Sequence, residues 1–133
     1  MQTSQVRRTF PVAVALLVSG CSDPSGAVCT LIGCVNTVAI TFQGPFPETY
    51  QLVLTAESDD QPLLELECST ATPCAEHVIL ERAPAAIHVE LVTDLDTQSG
   101  TFTPTYNTVR PNGPDCLPVC LQGELVVSRI ELR

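Results

Sequence analysis

Short runs in which apolar and polar residues alternate are the dominant pattern of this chain. In the first run, Val38, Ile40 and Phe42 are separated by alanine and threonine, which predicts a strand over 37–42 with one apolar face. Four later runs repeat this period of two: 50–56, 64–68, 77–81 and 87–91. After Cys21 no apolar stripe at helical spacing extends over three turns, so the pattern favours an all-β domain.

Glycine and proline separate the later runs. Pro104 interrupts a sixth predicted strand, 102–106, and because proline cannot donate to a sheet ladder, that strand should lie at an edge or contain a bulge. Residues 94–100 are predicted to form a polar loop, 110–114 a strong turn, and 121–130 the last strand. Seven short strands with frequent turns predict a single antiparallel immunoglobulin-like β-sandwich. Since the chain has no tryptophan, the antibody-type core is absent.

The first twenty residues have the pattern of an N-terminal export signal. Arg7-Arg8 precede an apolar segment over 10–18, and the small residues Ser19-Gly20 follow it. This segment is about half the roughly 20 residues that a membrane-spanning helix needs, so we expect a transient signal peptide. Residues 7–10 also resemble a twin-arginine signal, but Val6 replaces the usual serine or threonine, and both export routes stay open.

The stretch Val18-Ser19-Gly20-Cys21 resembles the lipobox of bacterial lipoproteins. The resemblance implies that Cys21 receives a thioether-linked diacylglyceryl group, that cleavage falls before it, and that its new amino group is acylated, for example with palmitate. Several acyl chains bind a bilayer far more strongly than one, at about 0.8 kcal/mol per buried methylene. Ser22, which is not acidic, follows Cys21, and by the family's sorting rule this implies the outer membrane. The alternative is an ordinary secretory signal, with Cys21 as one more disulfide cysteine.

These signals divide the chain into three parts. They are a lipoprotein signal peptide at 1–20, a lipidated tether at 21–28 and a disulfide-stapled sandwich at 29–133. Cleavage leaves 113 residues, a natural size for one domain. This part carries fifteen acidic residues and four arginines, a formal charge of −11 with both histidines neutral. Such a charge repels phosphate backbones, so we expect no nucleic-acid partner.

Six cysteines besides Cys21 predict a disulfide framework, because an even number in a small exported domain is typical of one. They are Cys29, Cys34, Cys68, Cys74, Cys116 and Cys120. Their spacings contain no C-x2-C knuckle, which argues against structural zinc. The three close pairs suggest three local bonds; the alternative joins the 29–34 segment to the 116–120 segment and so ties the first strand to the last.

Candidate chemistry is sparse. If runs 77–81 and 87–91 form a hairpin around Pro84, His77 lies near Glu90 and His88 near Ile79, an incomplete metal site. We therefore interpret both histidines as surface residues and expect no metal site, no cofactor and no catalytic residue. The sequence also has no Gly-x-Ser-x-Gly elbow and no glycine-rich phosphate loop.

Acidic turns leave one binding alternative open. Asp94 and Asp96, and the pair Asp59-Asp60, carry oxygens that could bind calcium, but the spacing of Gly100 does not fit an EF-hand loop. Solvated turn carboxylates are the simpler interpretation.

The turn Pro111-Asn112-Gly113-Pro114, two close cysteines and a last strand resemble small uncharacterised lipoproteins of Gram-negative bacteria, a resemblance that brings no activity with it. We hypothesise a non-enzymatic envelope lipoprotein that acts as a binding or structural module. Its expected partners are the bilayer, through the acyl chains of Cys21, and an envelope protein. The alternative is a small ligand- or calcium-binding accessory domain of an envelope enzyme system.

Overall fold

The computed structural model describes residues 28–133, and within them the chain forms eight strands and one short 3-10 helix. The predicted signal peptide and Cys21 lie outside the described residues. The strands are β1 (Thr37–Gln43), β2 (Thr49–Ala56), β3 (Pro62–Ser69), β4 (His77–Leu80), β5 (Ile87–Val92), β6 (Thr97–Phe102), β7 (Thr105–Val109) and β8 (Cys120–Ser128). The 3-10 helix, Arg129–Glu131, ends the predicted last strand two residues early.

Two four-stranded sheets form a β-sandwich, as the alternation predicted. One sheet has the order β4-β1-β8-β7 and the other β3-β2-β5-β6. All pairs are antiparallel except β1 with β8, which run parallel over seven residue pairs from Thr37–Gln122 to Gln43–Ser128. The first and last strands of the domain are therefore neighbours that begin at the same end.

The core lies between the sheets and follows the period of two. On β1 the side chains of Val38 and Ile40 are fully buried, while Ala39 between them is exposed. Strands β2, β5 and β8 repeat this alternation. The largest fully buried side chains are Ile40, Leu52, Leu54, Ile87, Leu91, Val38, Val89 and Val127. At about 1.5–3 kcal/mol for each large side chain, their burial is the main favourable contribution to this fold.

One strand was missed because its sequence does not alternate. Residues 97–102 form β6, where a polar loop over 94–100 was predicted. β6 is an edge strand that pairs with β5 along its whole length. Ser99 also exchanges two backbone hydrogen bonds with Arg133, of 2.9 and 3.1 Å. Backbone pairing on both sides therefore fixes this strand, and side-chain burial contributes little to its pattern.

Pro104 lies where the chain crosses from one sheet to the other. β6 is the edge of one sheet and β7 is the edge of the other, so the edge position predicted for a strand at this proline is confirmed. Pro104 is buried between the two strands. The predicted sixth strand is thus two strands.

The predicted hairpin of runs 77–81 and 87–91 is wrong. β4 pairs with β1 and β5 pairs with β2, so the two strands lie in different sheets. The segment between them, which contains Pro84, crosses the end of the sandwich instead of turning within one sheet.

Candidate functional site: the clamped end

The end of the sandwich where β1 and β8 begin is held by two long-range disulfides, and we call it the clamped end. Residues 28–36 have no regular secondary structure and lie beside 110–119, the connection from β7 to β8, and beside Cys120, the first residue of β8. Cys29 is bonded to Cys116 with the Cα atoms 5.7 Å apart, and Cys34 to Cys120 with the Cα atoms 6.1 Å apart.

These two bonds correct the local pairing that the spacing suggested. Cys29 does not pair with Cys34, nor Cys116 with Cys120; the alternative that ties the first strand to the last is the observed one. The reason is topological, since the parallel pairing of β1 with β8 brings the segments before these two strands together. The predicted local bond between Cys68 and Cys74 is confirmed, with the Cα atoms 5.2 Å apart.

Asn112 joins the same two segments without a covalent bond, through a side chain that is 9% exposed. Its Oδ1 accepts hydrogen bonds from the Thr30 hydroxyl and from the Ile32 amide, the latter at 2.9 Å. Its Nδ2 donates to the carbonyls of Ile32, at 2.9 Å, and Leu117, at 2.7 Å. All four hydrogen-bonding positions of the amide are thus used.

The turn that carries Asn112 depends on the following glycine. Gly113 has a φ of 110°, a left-handed conformation in which L side chains are strained. Its amide donates to the Arg110 carbonyl at 3.1 Å. The sequence identified this turn, but not the bonds from Asn112 to residues eighty positions away, because no local pattern encodes them.

Apolar side chains on the clamped end face solvent. Leu31 and Val28 are fully or almost fully exposed, and Leu117 is 78% exposed. We call the set the clamped apolar surface: Val28, Leu31, Ile32, Val35, Leu117, Val119 and Leu121. Sequence reasoning missed it, although apolar residues next to cysteines in segments without alternation were a usable signal.

The clamped apolar surface carries no charge of its own. Residues 28–36 and 116–123 contain no acidic or basic residue, and the nearest charges along the chain are Asp23, Asp115 and Glu124, all acidic. Charges at the same end belong to the turns beside it. The Arg82 guanidinium contacts the Asp59 carboxylate at 3.0 Å, and both side chains are largely exposed. Such a pair adds at most about 1 kcal/mol to stability.

The two histidines occupy separate faces. His77 Nδ1 lies 3.0 Å from the Thr41 hydroxyl on one sheet, whereas His88 Nδ1 lies 3.2 Å from the Thr101 hydroxyl on the other. The expected neighbours are wrong, since His88 is beside Glu90 on its own strand, at 3.6 Å. Within residues 28–133 no group of three or more histidine, cysteine or acidic side chains is placed to hold a metal ion.

The acidic turn considered for calcium is stabilised by its own residues. Asp96 accepts the Thr93 hydroxyl at Oδ1, at 2.8 Å, and Gln98 Nε2 at Oδ2, at 3.0 Å. Thr93 Oγ1 in turn accepts the Asp96 amide at 3.1 Å. Both carboxylate oxygens therefore serve the turn, as expected for solvated turn residues.

A groove of about 460 Å³ lies at the opposite end of the sandwich, where Tyr50, Cys68 and Asp94 contribute to its wall. The Tyr50 ring stacks on Phe46 with the ring centres 5.1 Å apart, and burial raises the pKa of its phenol. The volume of the groove lies within the range of small-ligand sites. Neither His77 nor His88 is among the residues that line it.

Comparisons with known proteins returned no match to a family model, to a curated protein or to a solved structure. Among residues 28–133 no helix is long and apolar enough to cross a membrane.

Proposed function

We propose that this chain is a lipid-anchored envelope lipoprotein of the outer membrane, acting as a non-enzymatic binding or structural module. The observation that carries the proposal is the lipobox-like stretch Val18-Ser19-Gly20-Cys21 directly after an export-signal pattern. Acyl chains on Cys21 hold the chain to the bilayer, and the sandwich is the part that faces other envelope components.

The disulfides support export. Three bonds join all six cysteines of residues 28–133, and such bonds form and persist outside the reducing cytoplasm. This pairing also supports a separate role for Cys21, because every other cysteine of the chain has a partner within the domain.

The distribution of polar groups supports a non-enzymatic module. His77 and His88 are placed on different sheets, and each contacts a threonine hydroxyl. His88 also lies 3.6 Å from the Glu90 carboxylate, and all three side chains of this contact stand on strands of one sheet. A rigid scaffold with an anchor is sufficient for a binding role.

The mass of the mature N-terminal peptide tests the anchor. After expression of the full chain in a Gram-negative host, we expect a peptide that begins at Cys21 and carries the diacylglyceryl and N-acyl groups. Cys21→Ser should abolish both the lipid and this cleavage. An unmodified Cys21, or a mature chain that begins elsewhere, would refute the proposal.

Ser22→Asp is the matched control for sorting. It keeps Cys21 and should keep the lipid, but by the family's sorting rule it should move the protein from outer-membrane to inner-membrane fractions on a density gradient. Lipidated wild-type protein in the inner-membrane fractions would contradict the outer-membrane assignment and leave lipidation intact.

Capture of partners tests the binding role. The lipidated protein, crosslinked in the envelope and purified from solubilised membranes, should retain a stoichiometric envelope protein. A calcium-dependent rise in melting temperature without such a partner would favour the accessory-domain alternative instead.

A further inference from the structure

We propose that the clamped apolar surface rests on the lipid bilayer beside the anchor, so that the domain stands on the membrane by its clamped end. This inference rests on the proposed acylation of Cys21 and adds an orientation and a second membrane contact to it. The ligand is the headgroup and upper acyl region of the leaflet that holds the anchor.

Most of the large exposed apolar side chains of the domain are concentrated at the clamped end. Single exposed apolar side chains are normal on soluble proteins, but a concentration of them on two segments that disulfides join is typical of an interaction site. Seven of the eleven large exposed apolar side chains in residues 28–133 belong to the clamped apolar surface. The other four, Ile79, Leu95, Val126 and Ile130, lie on β4, the β5–β6 turn, β8 and the 3-10 helix.

The length of the tether places this surface at the bilayer. Six residues separate Cys21 from Val28, and at about 3.5 Å per residue the chain between them reaches at most about 25 Å. Residues 22–27 are Ser-Asp-Pro-Ser-Gly-Ala, which contain no large apolar side chain to cover the surface. A short tether gives the surface a high effective concentration at the membrane, so that even a weak contact is occupied.

The surface is also pre-organised. Two disulfides and three of the Asn112 hydrogen bonds, those to Thr30 and Ile32, hold residues 28–36 against 110–121 before any contact is made. Little conformational entropy is therefore lost on binding, in contrast to a flexible tether that must be ordered.

Charge determines which bilayer it fits. The clamped apolar surface is uncharged, but acidic residues flank it: Asp23 in the tether, Asp115 beside Cys116, and Glu57, Asp59 and Asp60 in the β2–β3 turn, where only Asp59 is paired, with Arg82. Acidic side chains are repelled by anionic headgroups, so the contact requires a leaflet rich in zwitterionic lipid. The domain should rest on the β1–β8 side of this end, with the acidic turn directed away from the leaflet.

Tryptophan placed on the surface tests the contact, because the natural chain contains none. The lipidated full-length mature protein is reconstituted in phosphatidylcholine vesicles with and without brominated acyl chains, after mass spectrometry has shown that Cys21 is acylated. Leu31→Trp and Leu117→Trp should lose about half of their emission in the brominated bilayer, since interfacial groups insert about 5–10 Å.

Leu95→Trp is the matched control. Leu95 is 96% exposed and lies in the β5–β6 turn at the opposite end, so its emission should be the same in both vesicles and remain open to the aqueous quencher acrylamide. Val35→Trp, at a 58% exposed position, repeats the measurement if one of the leucine variants folds poorly.

The outcomes separate the inference from the proposed function. Acylated protein in which positions 31 and 117 behave like position 95 would overturn the inference and leave the anchor standing. Emission that changes with the protein-to-lipid ratio but is not quenched by bromine would also overturn it. Such a result would mean that the surface contacts a second copy of the protein and not the bilayer. An unacylated Cys21 would refute the proposed function itself.

Replacing a third of the lipid by phosphatidylglycerol at low salt should reduce the bromine quenching, because this anionic lipid repels the acidic residues at the clamped end.

Discussion

The two ends of the sandwich are crosslinked in different ways. At the clamped end, two disulfides with sequence separations of 87 and 86 join the segment before β1 to the segment before β8. At the opposite end, the Cys68–Cys74 bond spans a separation of six and closes only the connection from β3 to β4. One end therefore carries constraints on the whole chain, and the other carries a constraint on one loop.

The entropy of loop closure gives this difference a scale. In the chain-entropy model, a loop of 87 residues is worth about 4–5 kcal/mol and a loop of six about 2 kcal/mol. The two long-range bonds are not independent, because once one is closed the other closes a ring of only about ten residues. The second bond then adds about 2–3 kcal/mol, close to the value of the local bond.

The largest predicted effect is the loss of both long-range bonds. Replacing Cys29, Cys116, Cys34 and Cys120 with serine should lower the free energy of unfolding by about 7 kcal/mol, enough to unfold a small domain. Replacing either pair alone should cost only about 2–3 kcal/mol, since the remaining bond still closes the long loop.

Urea denaturation of the oxidised proteins measures these values. Cys68→Ser with Cys74→Ser is the control at the opposite end and should cost about 2 kcal/mol. A single long-range pair that costs as much as both together would refute the shared-loop account of the clamped end.

The second effect concerns packing at the clamped end. A Cβ atom on Gly123 would lie 2.4–2.5 Å from ring atoms of Tyr106, which pairs directly with it across β7 and β8. The Tyr106 hydroxyl donates to the Pro84 carbonyl at 2.8 Å, so the ring is held in place. Gly123→Ala should therefore destabilise the fold by about 2–3 kcal/mol.

Gly33→Ala is the control for Gly123→Ala, within residues 28–36 of the clamped end, because nothing outside its immediate chain neighbours lies within 4 Å of the position that a Cβ atom would take. It should change the unfolding free energy by less than about 0.5 kcal/mol. Equal effects of the two substitutions in thermal or urea denaturation would show that the contact with Tyr106 does not limit position 123.

The third effect measures what the hydrogen bonds of Asn112 contribute to the clamped end when both long-range disulfides are kept. Asn112→Ala leaves groups of Thr30, Ile32 and Leu117 without their amide partner and should cost about 2 kcal/mol. Because the disulfides remain, the loss should be local, with faster hydrogen exchange at the Ile32 amide and little change on β2 and β5. Asn107→Ala, at an exposed site on β7, should leave exchange unchanged. Unchanged exchange at Ile32 in Asn112→Ala would show that the Asn112 hydrogen bonds do not hold residues 28–36 in place.

The smallest effect is a pH dependence that both ends share. Burial raises the pKa of the phenols of Tyr50, at the end opposite the clamped end, and Tyr106, at the clamped end, above the ordinary value of about 10. As pH rises above about 10 the unfolded state loses these protons first, so stability falls until the raised folded-state pKa is passed.

Tyr106→Phe should make the alkaline loss of stability shallower, at the price of the hydrogen bond to Pro84 near neutral pH. Tyr50→Phe should flatten the same region of the profile without that neutral-pH loss. Urea midpoints between pH 8 and pH 11.5 measure both, and parallel profiles for wild type and the two variants would argue against the assignment.

The central strands could be predicted because their buried residues alternate with more exposed ones along the local sequence. Each of β1, β2 and β5 buries one face and leaves the other more exposed. Apolar residues therefore recur at every second position within each strand, as around Ile40, Leu54 and Val89. β6 could not be predicted in this way, since its Thr-Gln-Ser-Gly sequence is fixed by backbone pairing with β5 and with Arg133.

The disulfide pairing and the clamped apolar surface required the topology. Spacing favoured local bonds, but the cysteines meet according to which strands are neighbours, and the pairing of β1 with β8 joins residues about eighty-five positions apart. The same long-range contact creates the surface around Leu31 and Leu117. The sequence did indicate that these six cysteines form disulfides. It also indicated the local bond between Cys68 and Cys74, because a short loop joins the two residues.

The placement of Cys29 has a mechanical consequence for an anchored domain. A pull on residue 21 travels along the tether and meets the Cys29–Cys116 bond eight residues later, before it reaches the first hydrogen bond of β1. The load then passes through covalent bonds into the segment that leads to β8, so it is shared between β1 and β8, which are neighbours inside one sheet. If Cys21 is acylated as we propose, a force on the lipid would reach the covalently closed clamped end before it reaches the strand pairing of β1.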